Sequence, residues 1–164
     1  METSDGDPPV WLDTDERAVW LALIGLTIRL PRELDRQLRR DAGISHFDYQ
    51  VLALLSEAPE RTLRMSALAD RVEGSLPRLS QVVSRLERDG WIRRHPDPSD
   101  GRSTLATLTG SGWELLVGIA PGHVATVRRL VFDPLSTRQV DQLGRIATTV
   151  LGAIDADAAQ ATKY

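Results

Sequence analysis

The stretch RMSALADRVEGSLPRLSQVVSRLERDG, residues 64–90, decides the fold because it contains two short apolar stripes separated by a turn. Apolar residues recur at three- and four-residue spacing in residues 64–72 and again in 79–86, which is the period of an α-helix. Between the two stripes, Gly74 supplies a turn, and Ser75 is a residue type that caps helix N-termini. Two short helices joined by a tight turn form a helix-turn-helix.

The segment after the second helix predicts a β-hairpin. Residues 91–94 and 105–108 are short runs that favour strands, and HPDPSDGRST between them, residues 95–104, is rich in residues that break helices and set turns. A helix-turn-helix followed directly by a hairpin is a winged helix. The predicted fold class is therefore mainly α with a small β-hairpin wing, a winged helix-turn-helix flanked by N- and C-terminal helices.

Longer amphipathic helices are predicted on both sides of the winged helix. The first, within residues 11–44, is interrupted at Pro31, where the lost backbone bond and the steric clash cost about 3 kcal/mol or more and predict a kink or a break. Ser45 opens the next helix, with Asp48 as the third residue of a capping box. After the wing, Thr109 caps a helix that is predicted to bend or break at Pro121-Gly122.

The last predicted helix begins at Ser136, which forms a capping box with Gln139, and it is rich in Leu, Val and Ile. Apolar stripes on the two terminal helices need a partner surface. Within one chain the terminal helices are able to cover each other, but their excess of apolar residues fits an interface with a second copy, because twofold dimers are the commonest assembly.

Charge is distributed unevenly along the chain. The net charge of −3 argues at first against a polyanionic partner, but residues 61–102 contain nine Arg and six Asp or Glu, a local charge of +3, so the rest of the chain carries −6. The chain has no cysteine, which excludes disulfides, thiolate metal sites and thiol redox sensing.

Several classes of function have no support in the sequence. Three histidines, at 46, 95 and 123, are not spaced as metal ligands, and no glycine-flanked nucleophile or phosphate loop occurs, so no metal, cofactor or catalysis is predicted. The acidic start of the chain is unlike a signal peptide, and the run 19–28 is too short to span a bilayer. The expected location is the cytoplasm, without a membrane partner.

Three motifs resemble those of the MarR family of bacterial winged-helix transcriptional regulators, over residues 11–154. RMSALADRV and SLPRLSQVVSRLERDGWIRR are similar to the family's second and third winged-helix helices, the latter a recognition helix that ends at a glycine. HPDPSDGRSTLATLTGSG is similar to its Asp-Arg-Arg wing followed by Leu-Thr-x-x-Gly. Gly101 stands where the first arginine of that wing motif is usual, so Asp100-Gly101-Arg102 keeps one arginine of the pair.

This resemblance implies a function and a division of the chain. Family members bind DNA as homodimers, generally repress, and often release DNA when they bind small phenolic or other amphipathic ligands. The expected segments are a flexible tail at 1–10, an N-terminal dimerisation helix at 11–44, a winged helix-turn-helix DNA-binding domain at 45–109, C-terminal dimerisation helices at 110–155 and a tail at 156–164.

Two side chains of the recognition helix have base-reading chemistry. Arg78 is able to bind guanine O6 and N7 with two hydrogen bonds, and Gln81 is able to bind adenine N6 and N7 in the same way. In the wing, Arg102 is expected to enter the minor groove, with Asp100 bracing its guanidinium and Gly101 allowing a sharp turn or a close approach of the backbone to DNA. The candidate DNA-binding residues are Ser75, Pro77, Arg78, Ser80, Gln81, Ser84, Arg85, Arg94, Asp100, Gly101 and Arg102.

The sequence therefore predicts a DNA-binding transcriptional regulator, a ligand-responsive repressor that binds an inverted repeat as a homodimer. The sequence identifies neither the effector nor the residues that bind it. The alternative is a winged helix used for protein contacts without specific DNA binding, which predicts no salt-dependent binding to duplex DNA.

Overall fold

The computed structural model describes residues 9–161 and has, within them, six α-helices and three β-strands. In chain order these are α1 Thr14–Ala42, α2 His46–Glu57, β1 Thr62–Arg64, α3 Met65–Arg71, α4 Leu76–Arg88, β2 Ile92–Asp97, β3 Asp100–Leu108, α5 Gly110–Val127 and α6 Thr137–Ala161. A 3-10 turn at Pro59–Arg61 precedes β1, and a π-helical turn at Arg128–Phe132 extends α5. Parts of the two predicted tails, residues 1–8 and 162–164, lie outside the described residues.

The hydrophobic core lies in the winged helix. It is built from the end of α1, from α2, α3 and α4, from the sheet, and from Leu116 of α5. Its largest completely buried side chains are Leu38, Leu52, Leu55, Leu68, Leu79, Leu86 and Ile92. Since full burial of a Leu or Ile side chain is worth roughly 1.5–3 kcal/mol, the apolar stripes of α3 and α4 contribute directly to the stability of this domain.

Polar caps begin several helices at the predicted residues. The Ser45 hydroxyl accepts the Asp48 N–H, and the Asp48 carboxylate accepts the Ser45 N–H, so the capping box of α2 is formed. Ser75 caps α4 and Thr109 caps α5. Each cap satisfies a backbone N–H that has no partner within its helix.

The two predicted breaks at prolines do not occur. α1 continues through Pro31 and α5 continues through Pro121. Each proline removes one helical N–H, but both are exposed, so water is able to bind the carbonyl that is left without an intrahelical donor. The prediction of a break was therefore wrong at both positions, whereas the alternative, a kink or a bend, stays a prediction.

The wing has longer strands and a shorter loop than predicted. β2 ends at Asp97 and β3 begins at Asp100, so most of residues 95–104 is strand rather than loop. The sheet is antiparallel with the order β1-β3-β2, which makes β2 an edge strand that tolerates the missing N–H of Pro96. β1 was not predicted, because its three residues are too few to show an alternating pattern.

α5 and its π-helical turn are long and apolar enough, by length and composition alone, to cross a membrane. They include the uncharged run 115–127, which is longer than the run 19–28 that was judged too short to span a bilayer. Both ends of α5 nevertheless pack within the fold. A Cβ at Gly112 would lie 2.2 Å from the Trp91 carbonyl oxygen, and the buried His123 forms a hydrogen bond with Gln37 of α1.

The terminal helices leave large apolar surfaces exposed. No described side chain of α6 is buried, and in α1 the buried side chains all lie in its second half. Exposed apolar side chains include Val19, Trp20, Leu23 and Leu26 of α1 and Ile146, Val150, Leu151 and Ile154 of α6. α6 also continues to Ala161, so the described part of the tail predicted from residue 156 is helical.

Candidate nucleic-acid interface

α4 turns its apolar stripe to the core and its polar residues outward. Leu79, Val83 and Leu86 are buried, and Val82 is half-buried. The candidate residues on this helix are all at least partly exposed: Pro77, Arg78, Ser80, Gln81, Ser84 and Arg85.

The outward face of α4 has two flanks. At about 100° per residue, Arg78 and Arg85 lie on one flank, Ser80 lies about 150° away on the other, and Gln81 lies between them. The Arg78 flank borders a groove formed with α1 and α2, and the Ser80 flank borders a groove formed with the wing. Gln81 is therefore on the part of α4 that projects furthest from the domain.

Arg78 is held at the start of α4. Its backbone N–H donates to the Ser75 hydroxyl at 3.4 Å, which confirms Ser75 as the cap. Its guanidinium lies over the ring of Phe47 in α2, 4.5 Å from the ring centroid. Because stacking uses the face of the guanidinium, the N–H groups along its edge remain able to donate to a ligand.

Arg85 forms an ion pair with Asp48 of α2. The Asp48 side chain is buried, while that of Arg85 is about half exposed, at 47%. Removing one partner of such a pair leaves an uncompensated charge in the protein, so Arg85 is tied to the packing of α4 on α2. A phosphate would have to compete with Asp48 for it.

Arg94 is tied to α4 in a similar way. Its backbone N–H donates to one oxygen of Glu87 at 2.8 Å, and its Nε donates to the other at 2.8 Å. The Arg94 backbone N–H and then the guanidinium hold the pKa of Glu87 below its ordinary value. The neighbouring Arg93 is exposed and has no ion pair among residues 9–161. Arg93 is therefore better able than Arg94 to contact an anion, but only Arg94 was predicted to be a site residue.

The turn of the wing contains a charged network that the sequence reasoning missed. Arg64 donates to Asp97 at 2.7 Å and to the Ser99 hydroxyl at 3.2 Å. The Ser99 hydroxyl and backbone N–H, together with Arg64, keep the pKa of the buried Asp97 below its ordinary value. The Asp-x-Ser sequence was a local signal for such a turn, but Arg64 lies 33 residues from Asp97.

Asp100 supports the wing backbone rather than the Arg102 guanidinium. It accepts the Ser103 hydroxyl at 2.8 Å and the Arg102 backbone N–H at 3.2 Å, and these bonds lower its pKa. The predicted brace was wrong: within the described part of the chain the Arg102 guanidinium has no ion pair and is exposed. Gly101 lies in β3 without a left-handed φ, so the predicted sharp turn is absent there.

A groove of about 320 Å³ separates α4 from the wing, and we call it the wing-side groove. It brings Ser80 of α4 together with three arginines from other elements. Its polar lining residues are Arg64, Ser66, Ser80, Arg94, Arg102, Ser103 and Thr104. Guanidinium and hydroxyl groups in such a groove are donors suited to an anion with several oxygens.

No group of three or more His, Asp or Glu side chains suited to hold a metal occurs among residues 9–161. The guanidinium and hydroxyl donors that line the grooves beside α4 point to an anionic partner bound by hydrogen bonds and charge.

Comparisons with known proteins agree with this geometry. The family model described as "MarR family" matches residues 42–103. A helix-turn-helix-type transcriptional regulator of Mycobacterium leprae is 36% identical over 147 residues, which cover 88% of this chain and 97% of that protein. The regulator YkoM of Bacillus subtilis is 33% identical over 105 residues, and the alignment spans 66% of its length.

Two solved structures from Streptomyces coelicolor are similar over nearly the whole chain. Sco3205, a MarR family transcriptional regulator in complex with DNA, has a TM-score of 0.85 and 45% identity, covering 90% of this chain and 92% of that one. AbsC, another MarR family regulator, has a TM-score of 0.85 and 31% identity, covering 90% and 99%. With the winged helix and the arginine-bearing α4 already described, these matches show that the chain belongs to the MarR family of transcriptional regulators.

Proposed function

We propose that the protein binds double-stranded DNA in a sequence-specific manner, with α4 in the major groove. The observation that supports this most strongly is the position of the polar face of α4 between two grooves that bear arginines. A major groove about 12 Å wide admits one helix, and the flanks of that helix then face the two phosphate backbones. The DNA complex of the similar Sco3205 supports the same partner.

Eight of the eleven candidate residues have a proposed task. Arg78 and Gln81 contact base edges, and Arg102, whose guanidinium has no ion pair among residues 9–161, enters the adjacent minor groove. Ser80, Ser84 and the exposed Pro77 line the surface of α4 that approaches the duplex. Arg85 and Arg94 act mainly by keeping α4 and the wing in place, because both are bound to carboxylates.

Selection of bound sequences from random duplex DNA by the purified protein tests this proposal. A regulator enriches a defined sequence, and its affinity falls steeply as the salt concentration rises. A winged helix that serves protein contacts alone enriches nothing and shows no salt-dependent binding, and that result would contradict the proposal.

The proposed assembly is a homodimer formed by α1 and α6. Residues 141–157 of α6 are all exposed, so the rest of the described chain buries no side chain in this part of the helix. A twofold dimer covers the same surface on both copies and places two α4 helices for an inverted repeat with half-sites about 10 base pairs apart. Light scattering of the free protein and of its DNA complex tests the stoichiometry, and a monomer on a single half-site would refute the dimer.

We further propose that the protein is a repressor that a small aromatic or amphipathic ligand releases from DNA. A cleft of about 440 Å³ beside α2 and α5, lined in part by Tyr49, Leu54 and His123, offers mixed apolar and polar contacts for such a ligand. A tenfold loss of DNA affinity requires only about 1.4 kcal/mol of coupling. If a broad panel of aromatic acids and hydrophobic compounds changed neither melting temperature nor DNA affinity, the protein would be a constitutive regulator.

A regulator of this kind acts on chromosomal DNA in the cytoplasm, and the proposal assigns it no catalytic step. Cell fractionation tests the location: the protein is expected with the cytoplasmic and DNA-associated fractions, and recovery in the membrane fraction would contradict it.

A further inference from the structure

A second groove lies on the other side of α4, between α4, the first turn of α2 and the second half of α1. We call it the α1-side groove, and with a volume of about 1050 Å³ it is larger than the wing-side groove. Five arginines line it: Arg32, Arg36, Arg39, Arg78 and Arg85. The sequence analysis assigned no function to the three that belong to α1.

The negative charges in the α1-side groove are already paired. It is lined by two carboxylates, Asp35 and Asp48. Asp35 binds Arg39 at 2.6 Å and accepts the His46 backbone N–H at 2.9 Å, and Asp48 binds Arg85. Five guanidinium groups against two carboxylates leave an excess of three positive charges in the lining, with the histidine counted as neutral.

Arg32 and Arg36 are the α1 side chains best able to take a new anion. Arg32 is exposed and has no ion pair among residues 9–161, and Arg36 is paired only with Glu33, at 2.6 Å on an exposed surface. Surface pairs of this kind contribute about 0–1 kcal/mol, so an incoming anion displaces Glu33 at little cost. Since the two arginines are four residues apart on one helix, their side chains lie on the same face.

The position of the groove suggests which anion it takes. An α-helix with its side chains is about 10–12 Å across, close to the width of the DNA major groove, so both flanks of an inserted α4 approach a phosphate backbone. Ser80 faces the backbone on the wing side. The α1-side groove, which lies beyond Arg78 on the other flank of α4, would then face the opposite backbone, on the side of α4 away from the wing.

We infer that the α1-side groove binds backbone phosphates of duplex DNA through Arg32 and Arg36, so that α1 and the wing hold the two strands on either side of α4. This inference rests on the proposed DNA binding and adds α1 to the DNA-contacting elements. The contact is independent of sequence, because phosphates carry charge but no base identity.

Salt-dependent titrations of Arg32→Ala on the selected site and on random duplex test the inference. Losing one phosphate contact is expected to flatten the slope of log affinity against log salt by up to about 0.9 per bound subunit, equally on both duplexes. Arg32→Lys keeps the charge and is expected to restore most of the slope. Arg129→Ala is the matched control, because Arg129 is exposed, has no ion pair among residues 9–161 and lies outside the groove and outside α1 and α6.

Mapping with single neutral methylphosphonate linkages identifies the phosphates involved. Wild-type affinity is expected to fall at positions on both strands that border α4, and Arg32→Ala is expected to become insensitive to the linkages on one strand only. An unchanged map or an unchanged salt slope in Arg32→Ala overturns the inference, while wild-type DNA binding still upholds the proposed function. Saturation of the groove by inorganic phosphate at millimolar concentration, without any effect of Arg32→Ala on DNA, overturns it in favour of a small-anion site.

Discussion

The winged helix and the terminal helices are built from the same kind of amphipathic helix, yet they differ in how completely one chain buries them. α3 and α4 place their apolar stripes in a core shared with α2, the sheet and Leu116. α6 is equally regular over 25 residues, but Ile146 and Ile154 are 62% and 57% exposed. An apolar stripe therefore predicts that a helix will be covered without indicating by which chain.

The two regions also meet at a polar joint. Nδ1 of His123 in α5 donates a hydrogen bond at 3.2 Å to the amide oxygen of Gln37 in α1, and the centroid of the His123 ring lies 4.2 Å from that of Tyr49 in α2. The Gln37 amide nitrogen donates to Asp41, so its oxygen is the acceptor and His123 Nδ1 is the donor. Helices α1 and α5 are thus connected by a buried hydrogen bond whose donor, the His123 imidazole, has a pKa lowered mainly by burial.

The largest expected effect comes from placing a charge on the exposed stripe of α6. Ile146→Asp is expected to weaken dimerisation by about 3–5 kcal/mol, more than a hundredfold, because an unpaired carboxylate would be buried between the copies. Sedimentation analysis measures the change. Thr148→Asp, on another face of the same helix, is the control, and equal behaviour of the two variants would contradict an interface on this stripe.

Stability of the winged helix is expected to depend strongly on Gly112. A methyl group there would meet the Trp91 carbonyl oxygen at 2.2 Å, so Gly112→Ala is expected to lower the free energy of unfolding by about 3 kcal/mol. Gly118→Ala in the same helix meets nothing within 4 Å and is expected to raise it by about 0.5–1 kcal/mol. Urea unfolding of both variants measures the difference, and a neutral Gly112→Ala would mean that α5 is free to shift at its start.

Sequence preference is expected to depend on Arg78. If its guanidinium binds a base edge, Arg78→Ala costs about 1–3 kcal/mol on the selected site and much less on random duplex. Competition binding with both duplexes measures the discrimination. An equal loss on both would show that Arg78 contacts phosphate, and no loss would show that its stacking on Phe47 is its whole contribution.

Arg102→Ala is expected to weaken binding to both kinds of duplex. Its guanidinium would bind in the minor groove, where it responds to groove width, and close to neighbouring phosphates. Removing it is expected to flatten the slope of log affinity against log salt by up to about one unit per subunit. The affinity is also expected to depend less on an A·T-rich flank. Titrations at several salt concentrations measure this slope. If affinity and slope were unchanged on every duplex, the wing would have no part in DNA binding.

The smallest expected effect is the pH dependence of folding stability that arises from His123 and His46. Burial lowers the pKa of His123 and of His46 below the ordinary 6.5, and the charge of His46 lowers that of His123 further, whereas Asp35 opposes the shift at His46. The unfolded chain therefore binds protons first. Stability is complete above pH 6.5 and falls as the pH drops through 6.5 toward the folded pKa, by at most about 1.4 kcal/mol per pH unit for each histidine.

His123→Gln keeps a hydrogen-bonding group opposite Gln37 and removes the titration. Its free energy of unfolding is expected to change less than that of the wild type between neutral pH and pH values below 6.5, as measured by urea unfolding at each pH. An identical pH dependence in both proteins would show that the joint does not titrate in this range.

Much of the fold was predictable because its signals are local. The caps at Ser45, Ser75 and Thr109 and the stripes of α3 and α4 each involve residues within one or two helical turns. Local signals were misleading at Pro31, where a possible break was predicted but the helix continues through the exposed proline. They also missed β1, because a strand of three residues is too short to show an alternating pattern.

The candidate site was predictable only in part. The exposed positions of Arg78 and Gln81 follow from helical periodicity, and they were placed correctly at the surface of α4. The same reasoning assigned Arg85 and Arg94 to DNA without detecting the carboxylates that bind them. It also missed Arg64, which braces the wing.

The sequence by itself determined the helix-turn-helix, the position of the wing and the identity of α4 as the exposed basic helix. Tertiary structure alone decided which charges are free. Asp48 meets Arg85 across 37 residues of sequence, and Gln37 meets His123 across 86. Capping and amphipathicity depend on neighbours a few residues apart, whereas the partner of a charged side chain depends on which distant segments the packed core brings together.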